Sequence, residues 1–314
     1  MPLVSLAQLL THANQNGYGI GAFNVNNMEQ IQAIMMACQN TKSPVIIQAS
    51  RGALKYSNMV YLKKLMEAAV ELNPEIPICV HLDHGDNLDS VKKAIDLGFT
   101  SVMIDASHYD FEENIRITKE VVEYAHSHGV SVEAELGTLG GIEEDIEGVV
   151  QLTNPVQAEE FVKRTNVDAL AVAIGTSHGA YKFKAEPVLS IDLVKEIHDR
   201  VKIPLVMHGA SSVPRDLLEM INNYGGSMPE AMGVPIASIQ AAIKNGVAKI
   251  NVDTDSRMAI TGAIRKVFKE EPSKFDPRDY LKPARQLMSE VVTGKMEAFG
   301  QAGKAQAIME TLKQ

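Results

Sequence analysis

The chain has 314 residues, 45% of them hydrophobic, and few aromatics (5%, no Trp), so Ala, Val, Ile, Leu and Met must fill its core. That length suits a single α/β barrel with insertions. A net charge of −9 with no basic run argues against nucleic acid or an anionic membrane as a partner.

Cys38 and Cys79 form no CxxC pair, which excludes a thiolate zinc site and fits a reducing compartment. The opening MPLVSLAQLL lacks a basic segment followed by a long apolar one, and no window approaches the roughly 20 apolar residues of a membrane span. A cytoplasmic, soluble protein is expected.

Eight short apolar runs follow in chain order: Gly19–Asn24, Val45–Ser50, Ile78–His84, Ser101–Asp105, Ser131–Leu136, Ala169–Gly175, Pro204–His208 and Lys249–Asp253. Segments of helical period lie between them, among them Met59–Leu72, Ser90–Leu97 and Asn114–His128. Near-continuous apolar strands alternating with amphipathic helices imply a parallel sheet covered on its outer face. Eight such units imply a TIM (β/α)8 barrel. An open doubly wound sheet is the other architecture, but no GxGxxG opens a helix after any strand. The tail reads as extra C-terminal helices, Pro283–Val292 and Lys295–Leu312. No boundary is visible, so residues 1–314 are expected to form one domain.

Polar residues crowd the strand ends: Asn24, Ser50, Asp83-His84, Asp105, Glu135, His208-Gly209, Asn251 and Asp253, with His178 three residues past the sixth strand. In a barrel these ends converge on the face where active sites sit. A single polar strand end means little, because turns need polar residues; all of them on one rim mean more.

His84, His178 and His208 come from the ends of the third, sixth and seventh strands, and three imidazoles form a common zinc set with one open position. Taken singly, each reads as a hydrogen-bonded loop histidine. His12, His108, His126, His128 and His198 read as surface residues. His81 makes an HxxH with His84 but lies within the strand, on the face of Asp83; it is expected in the core or behind the ligands. Asp83 beside a zinc-bound substrate can move a proton during C–C cleavage. Alternatively it orients His84 through a ring N–H, although adjacent strand residues diverge. The loops Gly175–Gly179, with Lys182 nearby, and His208–Ser212, followed by Pro214, offer backbone N–H groups and a helix start to a phosphate. Either loop alone reads as an ordinary strand–helix turn.

LDHG (Leu82–Gly85), AELG (Ala134–Gly137), GTSHG (Gly175–Gly179), HGASS (His208–Ser212) and NVDTD (Asn251–Asp255) occur in order. Together they resemble the class II aldolases that cleave ketose bisphosphates, from about residue 2 to the C-terminus. The resemblance implies zinc on His84, His178 and His208, with Glu135 able to join the metal when the site is empty. It implies Asp83 as the acid/base at the C4 hydroxyl. Gly179, Lys182, Gly209, Ser211, Asp253 and Thr254 resemble the pocket for the phosphate of dihydroxyacetone phosphate, and Ser50 is taken as a further substrate contact. Asn251 resembles the residue contacting the enediolate, and Arg257 the arginine that meets the far phosphate, often across a subunit interface. A monovalent cation (Na+ or K+) near the phosphate and a homodimer or homotetramer are also implied.

The retro-aldol step needs an electron sink, which Zn2+ supplies at the C2 carbonyl. The segment Gly137–Asp145 is glycine-rich and acidic, and is expected to be a flexible lid bringing a carboxylate to the C3 proton. Its spacing from Glu135 favours Glu143 over Glu144; the other reading is a solvated acidic loop. Fructose 1,6-bisphosphate is the expected substrate. Tagatose-1,6-bisphosphate aldolases usually read NVATE in place of NVDTD and lack much of Asn223–Ile239. A non-catalytic sugar-phosphate-binding barrel would make Asp83 and the lid acids incidental.

Overall fold

The computed structural model describes residues 2–138, 141–143, 146–148, 151–177, 187–230 and 232–313; for 141–143 and 146–148 only the backbone is described. Ten strands occur among them: β1 (Ile20–Asn24), β2 (Val45–Ser50), β3 (Ile78–Gly85), β4 (Ser101–Ile104), β5 (Ser131–Leu136), β6 (Gly141–Glu143), β7 (Ile146–Gly148), β8 (Ala169–Val172), β9 (Leu205–Met207) and β10 (Val247–Val252). Eight close into a barrel in the order β1-β10-β9-β8-β5-β4-β3-β2, every pair parallel. This is the TIM barrel expected from the alternating pattern.

The barrel strands are buried almost throughout. Their outward side chains pack on helices such as Met28–Thr41, Met59–Leu72 and Phe111–Ser127 in one continuous apolar core. A second cluster stops the N-terminal end of the barrel. There Leu6, Leu9 and Leu10 of the helix Leu6–Asn16 pack with Ile20, Ile46, Cys79, Val206 and Ile308. The segment leading into that helix is pinned to β3, since Val4 N donates to Ile78 O and Ile78 N to Pro2 O. Active chemistry is thereby confined to the opposite mouth.

Two expectations need correction. The C-terminal region is one 22-residue helix, Pro277–Ala298, followed by a short one, Ala305–Thr311. Asp276 accepts from Arg278 N and Pro277 takes the first turn, so the helix starts at that Asp-Pro pair and runs through Pro283. It ends before Gly300 and Gly303, both at positive φ. The segment expected as a loop between β5 and the next helix contains a hairpin, β6 antiparallel to β7, anchored by the Thr138–Gln151 bridge.

Candidate metal centre and active site

β3 carries the centre of the site. Asp83 and His84 are consecutive and should point to opposite faces of a regular strand. They do not diverge: His84 has φ 52° and the β3–β4 register breaks between Leu82 and Gly85. The irregularity re-aims the imidazole into the barrel mouth, leaving His84 Nε2 3.9 Å from Asp83 Oδ1.

Three elements then bring ligand atoms together. His84, Glu135 from β5 and His208, just past β9, each offer one, all within 4.8 Å of one another and all buried. Two imidazoles and a carboxylate are a donor set suited to zinc. Asp105 backs His84, with Oδ2 3.3 Å from His84 Nδ1, while its Oδ1 accepts from Ser107 N and Oγ. Orienting His84 thus falls to Asp105 rather than to Asp83.

Asp83 is held by two amides instead. Asn24 Nδ2 donates to its Oδ2 at 2.6 Å and Asn251 Nδ2 to its Oδ1 at 3.3 Å; Gln48 in turn donates to Asn24 Oδ1 at 2.7 Å. Burial alone would raise the Asp83 carboxyl, but the positive charges of His84, Lys249 and His208 hold it below its ordinary value. It is an anionic acceptor facing the mouth. Burial opposes protonation of His84 too, yet Asp105, Asp83 and Glu135 push its pKa up to about 9.

Several of the residues expected to contact the phosphate are described. Gly209 has φ 59°, and a side chain there would collide with the Ser177 backbone, so the two glycine loops touch at this point. Ser211 is buried, and its Oγ accepts from Asp253 N at 3.4 Å. Val213 also has positive φ (47°), unfavourable for a β-branched residue. It is held there by Asp255, which accepts from Ser212 N at 2.9 Å and Val213 N at 2.8 Å. Lys295 of the long C-terminal helix closes the arrangement, 2.7 Å from both Asp255 Oδ2 and Ser212 Oγ.

Ser50 ends β2 opposite Asp83 and caps the next helix by accepting from Ala53 N. Thr254 opens the helix Thr254–Glu270, and the exposed Arg257 folds back on Asp253 one turn earlier, at 2.5 Å. His178, Gly179, Lys182 and Glu144 lie outside the described residues, as does the side chain of Glu143.

The sequence suggests no role for Asp105 and Asn24 beyond polar strand ends, nor for Glu133 and Lys249 beyond membership of the runs Ser131–Leu136 and Lys249–Asp253. The signal was present: each of the last two is a charged residue in mid-strand, two positions before Glu135 and Asn251 and so on the same inward face.

Comparison with known proteins agrees with this geometry. Residues 4–304 match the family described as fructose-bisphosphate aldolase class-II. A fructose-bisphosphate aldolase of Giardia intestinalis is 69% identical over 307 residues, covering 97% of this chain and 95% of that one. One from Nostoc commune is 52% identical, covering 99% and 93%. The crystal structure of the YdjI aldolase from Escherichia coli K12 superposes with a TM-score of 0.78 at 33% identity, covering 96% of this chain and 99% of that one. A match of this strength over residues 4–304, with relatives 52–69% identical across nearly the whole chain, establishes that the chain belongs to the class II fructose-bisphosphate aldolase family.

Proposed function

We propose that His84, His178 and His208 hold one zinc ion at the barrel mouth, with Glu135 able to take a position on it, and that Asp83 is the acid/base at the C4 hydroxyl. The overall reaction is the reversible aldol cleavage of fructose 1,6-bisphosphate to dihydroxyacetone phosphate and glyceraldehyde 3-phosphate, with zinc as Lewis acid. The observation that carries the residue assignment is the buried His84–Glu135–His208 cluster beside an anionic Asp83.

Zinc held there would polarise the C2 carbonyl of the bound ketose. The rest falls to the chain. Asp83 accepts the C4 hydroxyl proton as the C3–C4 bond breaks, and returns it in the condensation direction. Asn24 and Asn251 keep its oxygens from turning away. Asn251 also faces the part of the substrate that becomes dihydroxyacetone phosphate. Gly179, Lys182, Gly209, Ser211, Asp253 and Thr254 receive that product's phosphate, Ser50 adds a substrate contact, and Arg257 meets the far phosphate after leaving Asp253. Glu143 moves the C3 proton when its hairpin closes.

The reading extends to a single domain over residues 1–314, a Na+ or K+ ion by the phosphate, a homodimer or homotetramer, and the cytoplasm. Among the described residues no helix is long and apolar enough to cross a membrane. The decisive experiment is a cleavage assay on fructose and tagatose 1,6-bisphosphates, with and without a chelator and then with zinc restored. Activity on the fructose ester that is lost to the chelator and recovered with zinc is the expected result. Chelator-resistant turnover would overturn the metal assignment.

A further inference from the structure

A second carboxylate lies beneath the metal cluster. Glu133 precedes Glu135 by two residues on β5, shares its inward face and is fully buried. Its Oε1 accepts a hydrogen bond from His208 Nε2 at 2.8 Å. Its Oε2 lies 2.9 Å from Nζ of Lys249, itself fully buried on β10, and 3.6 Å from His81 Nε2. The other ring nitrogen of His81 is 2.8 Å from Ser101 Oγ.

Barrel interiors are usually filled by branched aliphatic side chains. Burying an ion pair there costs several kcal/mol per ion before their attraction offsets it. An apolar pair of equal volume would pack at least as well, so stability alone does not account for Lys249 and Glu133.

We propose that Glu133, clamped by Lys249, is a positioning residue for the metal, keeping the His208 proton on Nε2 so that the Nδ1 lone pair faces Glu135 and His84. The proposal rests on His208 being a ligand. The geometry is consistent with it: Nδ1 is 3.1 Å from Glu135 Oε2, on the side of the ring that faces the cluster. The opposite tautomer would put a proton where the metal bond must form. Lys249 contributes by fixing the second oxygen of Glu133, which prevents the carboxylate, and with it the imidazole, from rotating. Asp105 does the same for His84, anchored by Ser107. The two imidazoles are therefore braced from adjacent strands, His84 by a carboxylate at the end of β4 held by neutral groups and His208 by a carboxylate on β5 held by a cation.

The test is zinc affinity, measured on the full chain by competition with a chromophoric chelator. The visible spectrum of the cobalt(II) form gives a second readout. Glu133→Gln leaves Lys249 without its counter-charge and can lower stability on that ground alone. The double variant Glu133→Leu/Lys249→Met removes both charges together with the acceptor for the His208 Nε2 proton, and isolates the positioning role. Zinc binding in the double variant should weaken about 10- to 100-fold, and its cobalt spectrum should change while its far-UV circular dichroism does not. Wild-type affinity and an unchanged cobalt spectrum in the folded double variant overturn the proposal. His208→Ala is the control: if it also binds zinc normally, the ligand assignment falls and the positioning role with it. If it loses zinc while the double variant does not, the positioning role alone falls.

Discussion

At the scale of single residues, Asp83 makes the sharpest claim. It is anionic, buried and held by two amides, so its removal should cost proton transfer and little else. Asp83→Ala is expected to lower kcat by about 10²- to 10⁴-fold with zinc content unchanged, as read by steady-state kinetics and metal analysis. A loss of a few-fold would reduce Asp83 to an orienting role. His81 carries a prediction about acid. Burial depresses its pKa from the ordinary 6.5 to about 3, so the folded protein keeps a neutral imidazole where the unfolded chain takes up a proton. Stability should therefore erode as pH falls through the window from about 6.5 towards 3. The thermal midpoint of His81→Gln, which can still bond Ser101, should fall less steeply than that of the wild type over this range. Parallel slopes would place the acid sensitivity elsewhere.

At the scale of elements, the long helix Pro277–Ala298 has a function that its sequence did not disclose. Through Lys295 it holds Asp255, and through Asp255 the backbone of the loop His208–Val213. Lys295→Met would leave a buried carboxylate without its cation, which costs about 3–5 kcal/mol in stability. It should also raise KM for the bisphosphate more than it lowers kcat, because the loop would lose its shape and not its chemistry. Denaturant titration and steady-state kinetics would read the two effects, and an unchanged KM would show that the loop holds itself. Much of this architecture was legible in the sequence. Strand runs such as Val45–Ser50 and Ser131–Leu136 matched to the residue, because a strand buried on both faces is continuously apolar and stops at a turn. The convergence of Asp83, His84, Glu135 and His208 was legible too, since strand ends in a barrel share a rim. Three things were not. The strand irregularity that aims His84 beside Asp83 depends on pairing with β4, which no local pattern encodes. The helix start at Asp276 competed with a second proline, Pro283. The pairing of Glu133 with Lys249 joins strands 116 positions apart in number, and each residue alone looked like an isolated charge in an apolar run.

At the scale of the whole molecule, the hairpin β6–β7 leaves the barrel directly after β5, so Glu135 and the proposed lid share one connection. Gly137, at the foot of this connection, has φ 89° and is packed against Gln151 and Thr153. The proposed lid role of Glu143, on β6, is tested by its removal. Glu143→Ala is expected to slow both cleavage and exchange of the C3 proton of dihydroxyacetone phosphate with solvent, with zinc retained, and Glu144→Ala to do less. Exchange at the wild-type rate in Glu143→Ala would assign the proton to another group. A larger defect in Glu144→Ala would shift the catalytic carboxylate by one position.

The helix that stops the far end of the barrel has a consequence for how the chain is made. Leu6, Leu9 and Leu10 leave the ribosome well before Val206, Ala248 and Ile308, which help to cover them. Through most of synthesis this apolar stripe is complete and its socket is not. Domains fold as units during translation, and a barrel that closes by pairing β1 with β10 can offer no finished socket before β10 emerges. The nascent chain therefore carries this apolar stripe uncovered until β10 has emerged. Slowing translation late in the message would prolong that exposure far more than slowing it early.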